Sequence, residues 1–282
     1  MHKIKLISDS TCDLSKDLLQ KHFIDLVPLF VNFKEESYLD GVTLTVPEMY
    51  QKVHEKGFLP KTAAASPGFF VEIFEKYLNL GYEIIYLGIG SKFSGTLQSA
   101  NSAKLVLNDE RIHLIDSGNL SSGSGLLLLK AAKFIQSGDD ISTVIAKIES
   151  LIPKVRTQFV INTMEYLYKG GRCSGMAAIA GTLLKIKPII KVVDGAMSVG
   201  KKPRGKIEVG INVLIDEVFE IKDQIDEDFL MITHSVADDS ANYIRDRLSK
   251  SLSMKNFYIT DAGCVISSHC GQGCVGILYI MK

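Results

Sequence analysis

Between Glu83 and Leu107 an unbroken apolar run, Ile84 to Ile89, gives way to Gly90-Ser91-Lys92-Phe93-Ser94-Gly95-Thr96. An apolar period of three to four then begins at Leu97. That order reads as a buried strand, a loop of small residues and a helix N-terminus. A strand that is apolar throughout is covered on both faces, so the chain around it must supply helices on each side. The loop leaves backbone N–H groups and hydroxyls at the positive end of a helix dipole, where a small anion is the natural occupant.

The neighbouring segments repeat the alternation. Residues 3–7 read as a strand, with Ser15 placed to cap a short helix, and residues 26–33 are extended again before the Asp40-Gly41 turn. Thr45-Val46-Pro47-Glu48 is a capping box that opens a helix to about Lys56, and Ser66-Pro67 opens another that ends near Gly81. A strand at residues 112–115 and a helix over residues 123–135 follow. The series predicts a parallel sheet with helices on both faces. Asp9-Ser10 and Asp116-Ser117 both stand at a strand's carboxyl end. Open parallel sheets bind ligands at that edge; equally, aspartate there caps a turn.

Beyond Pro153 the pattern changes. Residues 156–162 read as a strand, Ser174 opens a helix rich in small residues, and residues 188–193 and 197–201 flank the hairpin signal Asp194-Gly195. Two more helices and three strands complete the chain to Met281. Hairpins mixed with helices predict a second α/β domain with a mixed sheet.

Composition removes several function classes. Lys+Arg and Asp+Glu both number 32, so the net charge is zero and no basic stripe invites nucleic acid. The N-terminus enters a strand at once and is not read as a signal peptide, and no apolar run reaches the ~20 residues of a membrane span. Five cysteines at irregular spacing suit free thiols in a reducing cytoplasm.

Four segments carry candidate chemistry. Ser94-Gly95-Thr96 reads either as a plain helix cap or as a cradle, because Gly95 lets a ligand approach the backbone. Its surroundings match neither G-x-x-x-x-G-K-[ST] nor G-x-G-x-x-G, so a nucleotide is weakly supported. Thr62 is the one distinctive hydroxyl of Lys61-Thr62-Ala63-Ala64-Ala65, a bare-walled surface turn. His269, beside a terminal strand in Ser267-Ser268-His269-Cys270-Gly271-Gln272-Gly273-Cys274, can donate to a carboxylate, act as a base or ligate a metal. Cys264, Cys270 and Cys274 lie close by, but no C-x-x-C pair exists and an alternating strand would turn His269 and Cys270 to opposite faces, so no metal is expected. Arg172, after Gly170-Gly171, is either a solvated side chain or a fork of donors for a carboxylate or phosphate.

Taken in order, these segments resemble the DegV family, the fatty-acid-binding carrier subunits of bacterial fatty acid kinase. The resemblance runs through Asp9-Ser10-Thr11-Cys12-Asp13-Leu14, Pro60-Lys61-Thr62, Ser91-Lys92-Phe93-Ser94-Gly95-Thr96 and Asp116-Ser117. It continues through Tyr166-Leu167-Tyr168-Lys169-Gly170-Gly171-Arg172, Ile186-Lys187-Pro188-Ile189 and His269-Cys270-Gly271-Gln272-Gly273. It implies two domains: a three-layer α/β/α domain with a parallel sheet, residues 1–155, and a two-layer α/β domain with a mixed sheet, residues 156–282. A long-chain fatty acid would lie between them, its carboxylate held by Thr62, Ser94, Gly95 and His269. Arg172 would touch either that carboxylate or the kinase. The family's Thr-Ser-Gln-Pro is here Thr62-Ala63-Ala64-Ala65, and its His-x-Gly-Pro-Gly is His269-Cys270-Gly271-Gln272-Gly273.

The residues agree with a binder. Three neutral donors and one imidazolium suit a singly charged carboxylate, and each charge-assisted bond contributes on the order of 1.5–3 kcal/mol. A sixteen-carbon tail adds roughly 10–12 kcal/mol of transfer free energy before ordering costs, so the tail sets affinity and the head group sets orientation. Residues 123–129 and 176–190 are candidate channel walls. The implied protein is a cytoplasmic, monomeric carrier without a cofactor, in passing contact with membrane and served by a separate ATP-dependent kinase. Two other readings stand beside it: a Ser94–His269 acyl-ester hydrolase oriented by Asp9 or Asp116, and a carrier of a small carbonyl compound captured by His269, which would need a small polar cavity.

Overall fold

A computed structural model describes residues 3–173, 175–177 and 186–282. The helix expected from Ser174 falls largely outside the described residues. In chain order the first sheet-forming elements are β1 (Lys3–Asp9), α1 (Lys16–Lys21), β2 (Ile24–Val27), β3 (Phe30–Phe33) and β4 (Glu36–Leu39). They are followed by α2 (Val46–Lys56), β5 (Lys61–Ala63), α3 (Pro67–Asn79), β6 (Tyr82–Gly88), α4 (Thr96–Leu107), β7 (Ile112–Asp116), α5 (Ser122–Gln136) and α6 (Ile141–Leu151). The rest of the chain adds β8 (Val155–Val160), α7 (Glu165–Gly170), β9 (Ile189–Val193), β10 (Ala196–Val199), α8 (Ile207–Glu220) and β11 (Ile225–His234). It ends with α9 (Asp238–Leu248), β12 (Phe257–Asp261), α10 (Cys264–Cys270) and β13 (Val275–Met281).

Three sheets result. The parallel one runs β2-β1-β6-β7, the mixed one β10-β9-β8-β13-β11-β12, and a small antiparallel one β4-β3-β5. The extended stretch expected over residues 26–33 is two strands in two sheets, because Pro28 lacks the N–H needed to continue the ladder.

Side-chain alternation along β6 explains the layers. Ile84 and Tyr86 face one way, onto Phe70 and Phe74 of α3 and Ala100 and Ala103 of α4. Ile85 and Leu87 face the other way, onto α5. The mixed sheet does the same: Phe229, Met231, Leu278 and Ile280 join the cluster around α5, whereas Leu230, Ile232 and Ile277 pack on α8 and α9. Helix α5 therefore lies between the two sheets and touches β1 and β6 on one side and β8, β11 and β13 on the other. Every residue from Ser122 to Ala132 is buried for that reason. A helix apolar or small all round is what a position between two sheets demands. The fold is thus an α/β/α domain with a parallel sheet and an α/β domain with a mixed sheet, joined through a shared helical layer.

The parallel sheet has its switch point between β1 and β6, since the chain leaves β1 towards β2 and returns at β6 on the other side. A crevice opens at the carboxyl ends of such a pair. Asp9, buried at the end of β1, accepts from the Ile89 N–H at 2.9 Å and the Tyr86 hydroxyl at 2.8 Å. Asp116 holds the adjoining loop by accepting from the N–H groups of Ser91 and Gly118. Both aspartates at strand ends tie down turns.

Candidate functional site

Past the end of β6, from Ile89 onward, the chain lines a cavity of about 990 Å³, the part open to solvent included. Its rim carries Thr62, Ser94, Gly95, Arg172 and His269, so the structure brings together every residue singled out as a candidate carboxylate contact. Gly95, Ala63 and Arg172 are exposed and mark the mouth; Thr157, Thr233, Gly276 and Leu278 are buried and mark the inner end. The wall between is apolar, with Ile89, Phe93, Leu120, Phe159, Leu167 and Met197 among its residues. Residues 123–129 do not line it. They form the shared core instead, because both faces of α5 are covered by sheets.

Each rim residue is held by a different element. Thr62 sits in β5, not in a turn, paired with Val31 of β3. Its hydroxyl lies 2.9 Å from His269 Nε2. Ser94 precedes α4, and its hydroxyl pairs with that of Thr96 at 2.8 Å. A Cβ on Gly95 would meet nothing within 4 Å, so the N-cap of α4 faces open space. Lys92 points elsewhere and donates to the Asp194 carbonyl at 2.8 Å. Gly88 and Gly90 are glycine because Asp9 and the Gly118–Asn119 backbone press against them, not to admit a phosphate.

His269 departs from the alternating strand expected of it and lies near the end of the helix α10. The reason is long-range. Asp13 accepts from the Gly263 N–H at 2.8 Å and Asp40 from the Cys264 N–H at 2.7 Å, so two carboxylates from the first half of the chain cap the first turn. These are site residues that the sequence reading missed. Asp13 stood in a quoted motif and Asp40 in a predicted turn, but a partner more than 200 residues away leaves no local trace. Burial raises the pKa of both Asp13 and Asp40.

The imidazolium expected at the rim is also corrected. Burial, with the nearby Arg172 charge adding to it, lowers the His269 pKa to about 4, so the ring is neutral at physiological pH. Its Nδ1 has no hydrogen-bond partner and faces Gly170, where even a Cβ would come within 2.3 Å. An orphaned buried N–H is the costlier alternative, which assigns the proton to Nε2. Nε2–H then donates to Thr62, whose own hydroxyl proton is left free for a ligand. The permanent charge at the mouth is Arg172, exposed and donating to the Gly170 carbonyl at 2.6 Å.

Chemically, this arrangement is suited to holding an anion. Ser94 is paired with Thr96 and His269 with Thr62, so the expected Ser94–His269 pair does not form, and Asp9 and Asp116 hold backbone N–H groups of the 89–91 loop rather than the imidazole. The largely apolar wall also departs from the small polar cavity a carbonyl carrier needs. Among the described residues no group of three or more His, Cys, Asp or Glu could hold a metal ion, and no helix is long and apolar enough to cross a membrane.

A parallel α/β/α unit and a mixed-sheet α/β unit, beside an apolar cavity with a rim of hydroxyls, a neutral imidazole and an arginine, define a two-domain α/β protein. The chain belongs to the DegV family: the family model described as "Uncharacterised protein, DegV family" matches residues 3–282. A DegV domain-containing protein of Clostridium acetobutylicum is 35% identical over 283 residues, covering 100% of both chains. Among solved structures, a fatty-acid-binding DegV family protein from Thermus thermophilus superposes with a TM-score of 0.92 at 29% identity, covering 99% of this chain and 100% of its own. A stearic acid-binding protein from Eubacterium ventriosum superposes with a TM-score of 0.87 at 27% identity, covering 100% and 99%.

Proposed function

We propose that this chain binds a long-chain fatty acid, buries its tail in the cavity and presents its carboxylate at the mouth to a separate ATP-dependent kinase that forms the acyl phosphate. The observation that carries this reading is the cavity: an apolar wall running inward from a rim of hydroxyl, backbone and imidazole donors. The Thermus and Eubacterium proteins, which bind fatty acids by their description, share this fold from end to end. In this reading Thr62 and Ser94 donate to the carboxylate, the Gly95 backbone gives it room, and His269 fixes the Thr62 hydroxyl. Arg172 supplies the countercharge or meets the kinase. The tail contributes roughly 0.8 kcal/mol per buried methylene, far more in total than the head group.

The carboxylate belongs at an exposed mouth because a second protein must reach its oxygen. Catalysis is assigned to that partner, and the carrier acts as a cytoplasmic monomer divided at about residue 155. Native mass spectrometry of protein purified from bacteria tests the reading. A co-bound long-chain acid is expected. Protein that is consistently empty and takes up neither palmitate nor oleate would overturn it.

A further inference from the structure

Gly170 is the last residue of α7, and the left-handed turn that closes this helix falls on the next residue, Gly171, at φ +70. A helical position favours alanine over glycine, so the backbone does not call for a glycine at 170. The reason for it lies on α10. A Cβ on Gly170 would stand 2.3 Å from His269 Nδ1, 3.3 Å from Cε1 and 3.4 Å from Cγ, so it would displace the ring. The glycine leaves a flat seat for the edge of the imidazole, and Nδ1 is buried there without a hydrogen-bond partner. Leu167, buried in the cavity wall, anchors α7 on its other side. The Gly170 carbonyl accepts from Arg172 at 2.6 Å, which keeps the guanidinium charge near the same ring.

We propose that Gly170 is a positioning residue of the carboxylate clasp: it seats His269 so that Nε2 carries the proton, and it thereby turns the Thr62 hydroxyl proton towards the ligand. This rests on the fatty-acid reading and deepens it with a residue that acts through another side chain. The two tautomers of a neutral imidazole reverse the roles at the rim. With the proton on Nε2, the Thr62 oxygen at 2.9 Å accepts, and its own proton is available to a carboxylate. With the proton on Nδ1, Nε2 would accept from Thr62, and the hydroxyl would turn only lone pairs towards the anion. Gly170 offers Nδ1 a methylene and no acceptor, so a proton there would be stranded. A side chain at 170 would push the ring off its seat, open Nδ1 to water and let both tautomers form.

The experiment compares the full chain with Gly170→Ala, His269→Ala and the double variant. Calorimetry reads the affinities for palmitate and hexadecanol, and NMR reads the imidazole nitrogens. The parent ring should show the Nε2–H tautomer alone. In Gly170→Ala the tautomers should mix, the titration midpoint should rise from about 4, and the preference for palmitate over hexadecanol should fall roughly tenfold. With His269→Ala already present, adding Gly170→Ala should change that preference by less than about twofold. Should Gly170→Ala fold poorly, His269→Ala should restore folding, because it removes the ring that the new methyl strikes. A Gly170→Ala ring with the parent's tautomer and midpoint, a loss of equal size with and without His269, or a folding defect that His269→Ala leaves in place would each overturn the proposal. Uptake by the parent separates the two readings. A parent that binds neither palmitate nor hexadecanol loses the fatty-acid reading, and the NMR comparison still decides whether Gly170 seats the ring.

Discussion

The mouth and the inner end of the cavity are built from the same residue types and are wired differently. At the inner end Thr157 donates to Asn119 Oδ1 at 2.6 Å, Ser121 donates to Asp13, and Thr233 is bonded to both Ser122 and Thr260. Those protons are committed within the protein, so these hydroxyls offer a ligand little beyond their carbon atoms. At the mouth Thr62 accepts from His269 and keeps its proton to give. The glycines differ in the same sense. A Cβ on Gly123, in the core behind the inner end, would stand 2.1 Å from Asn119 Oδ1, whereas one on Gly95 would meet nothing. A hydroxyl or a glycine is functional or structural according to what its neighbours have already claimed.

The largest effect should come from Gly123→Ala. Overpacking against Asn119 and Thr157 should lower the unfolding free energy by about 1–3 kcal/mol or more, read from urea denaturation. Gly95→Ala should stay within about 0.5 kcal/mol of the parent. Equal losses in the two variants would break the comparison. Next, Thr62→Ala should weaken binding of palmitate by about tenfold or more, since a bond to a charged group is lost, with little change for an uncharged alcohol of the same length. Thr157→Val should do the reverse: a stability loss of about 1 kcal/mol from the lost bond to Asn119 Oδ1, which keeps only the Leu120 N–H, with head-group discrimination intact. Calorimetry with the acid and the alcohol reads both.

The smallest effect is electrostatic. In the free protein the His269 ring should titrate near 4 by NMR, because burial and Arg172 disfavour its charged form. A bound carboxylate stabilises that form, so the midpoint should rise on loading with palmitate. The complex then binds more protons than the free protein, and affinity should strengthen slightly as pH falls from about 8 to about 6. A midpoint that is unchanged or lower on loading would show that no carboxylate lies beside the ring.

Much of the fold was legible because its signals are local. The capping box at Thr45 and Glu48 is formed, with the Glu48 carboxylate accepting from the Thr45 N–H at 2.8 Å, and the Asp194-Gly195 hairpin joins β9 to β10. The loop from Ile89 to Thr96 likewise announced a strand passing into a helix. His269 was misread as part of a strand because its helix depends on carboxylates from Asp13 and Asp40, and its charge was misread because burial cannot be seen in a string of letters. The Thr62 turn became a strand only because β3 was there to pair with it.

By itself, then, the sequence determined most of the strands and helices, those at Thr62 and His269 excepted, and it named the hydroxyls, the glycine and the histidine that meet at one rim. Tertiary structure alone decided that α5 serves two sheets and that the imidazole is neutral. Periodicity and capping act over a few residues and are written in the chain. Dielectric environment and the partner of a given proton arise only when distant segments close around a group.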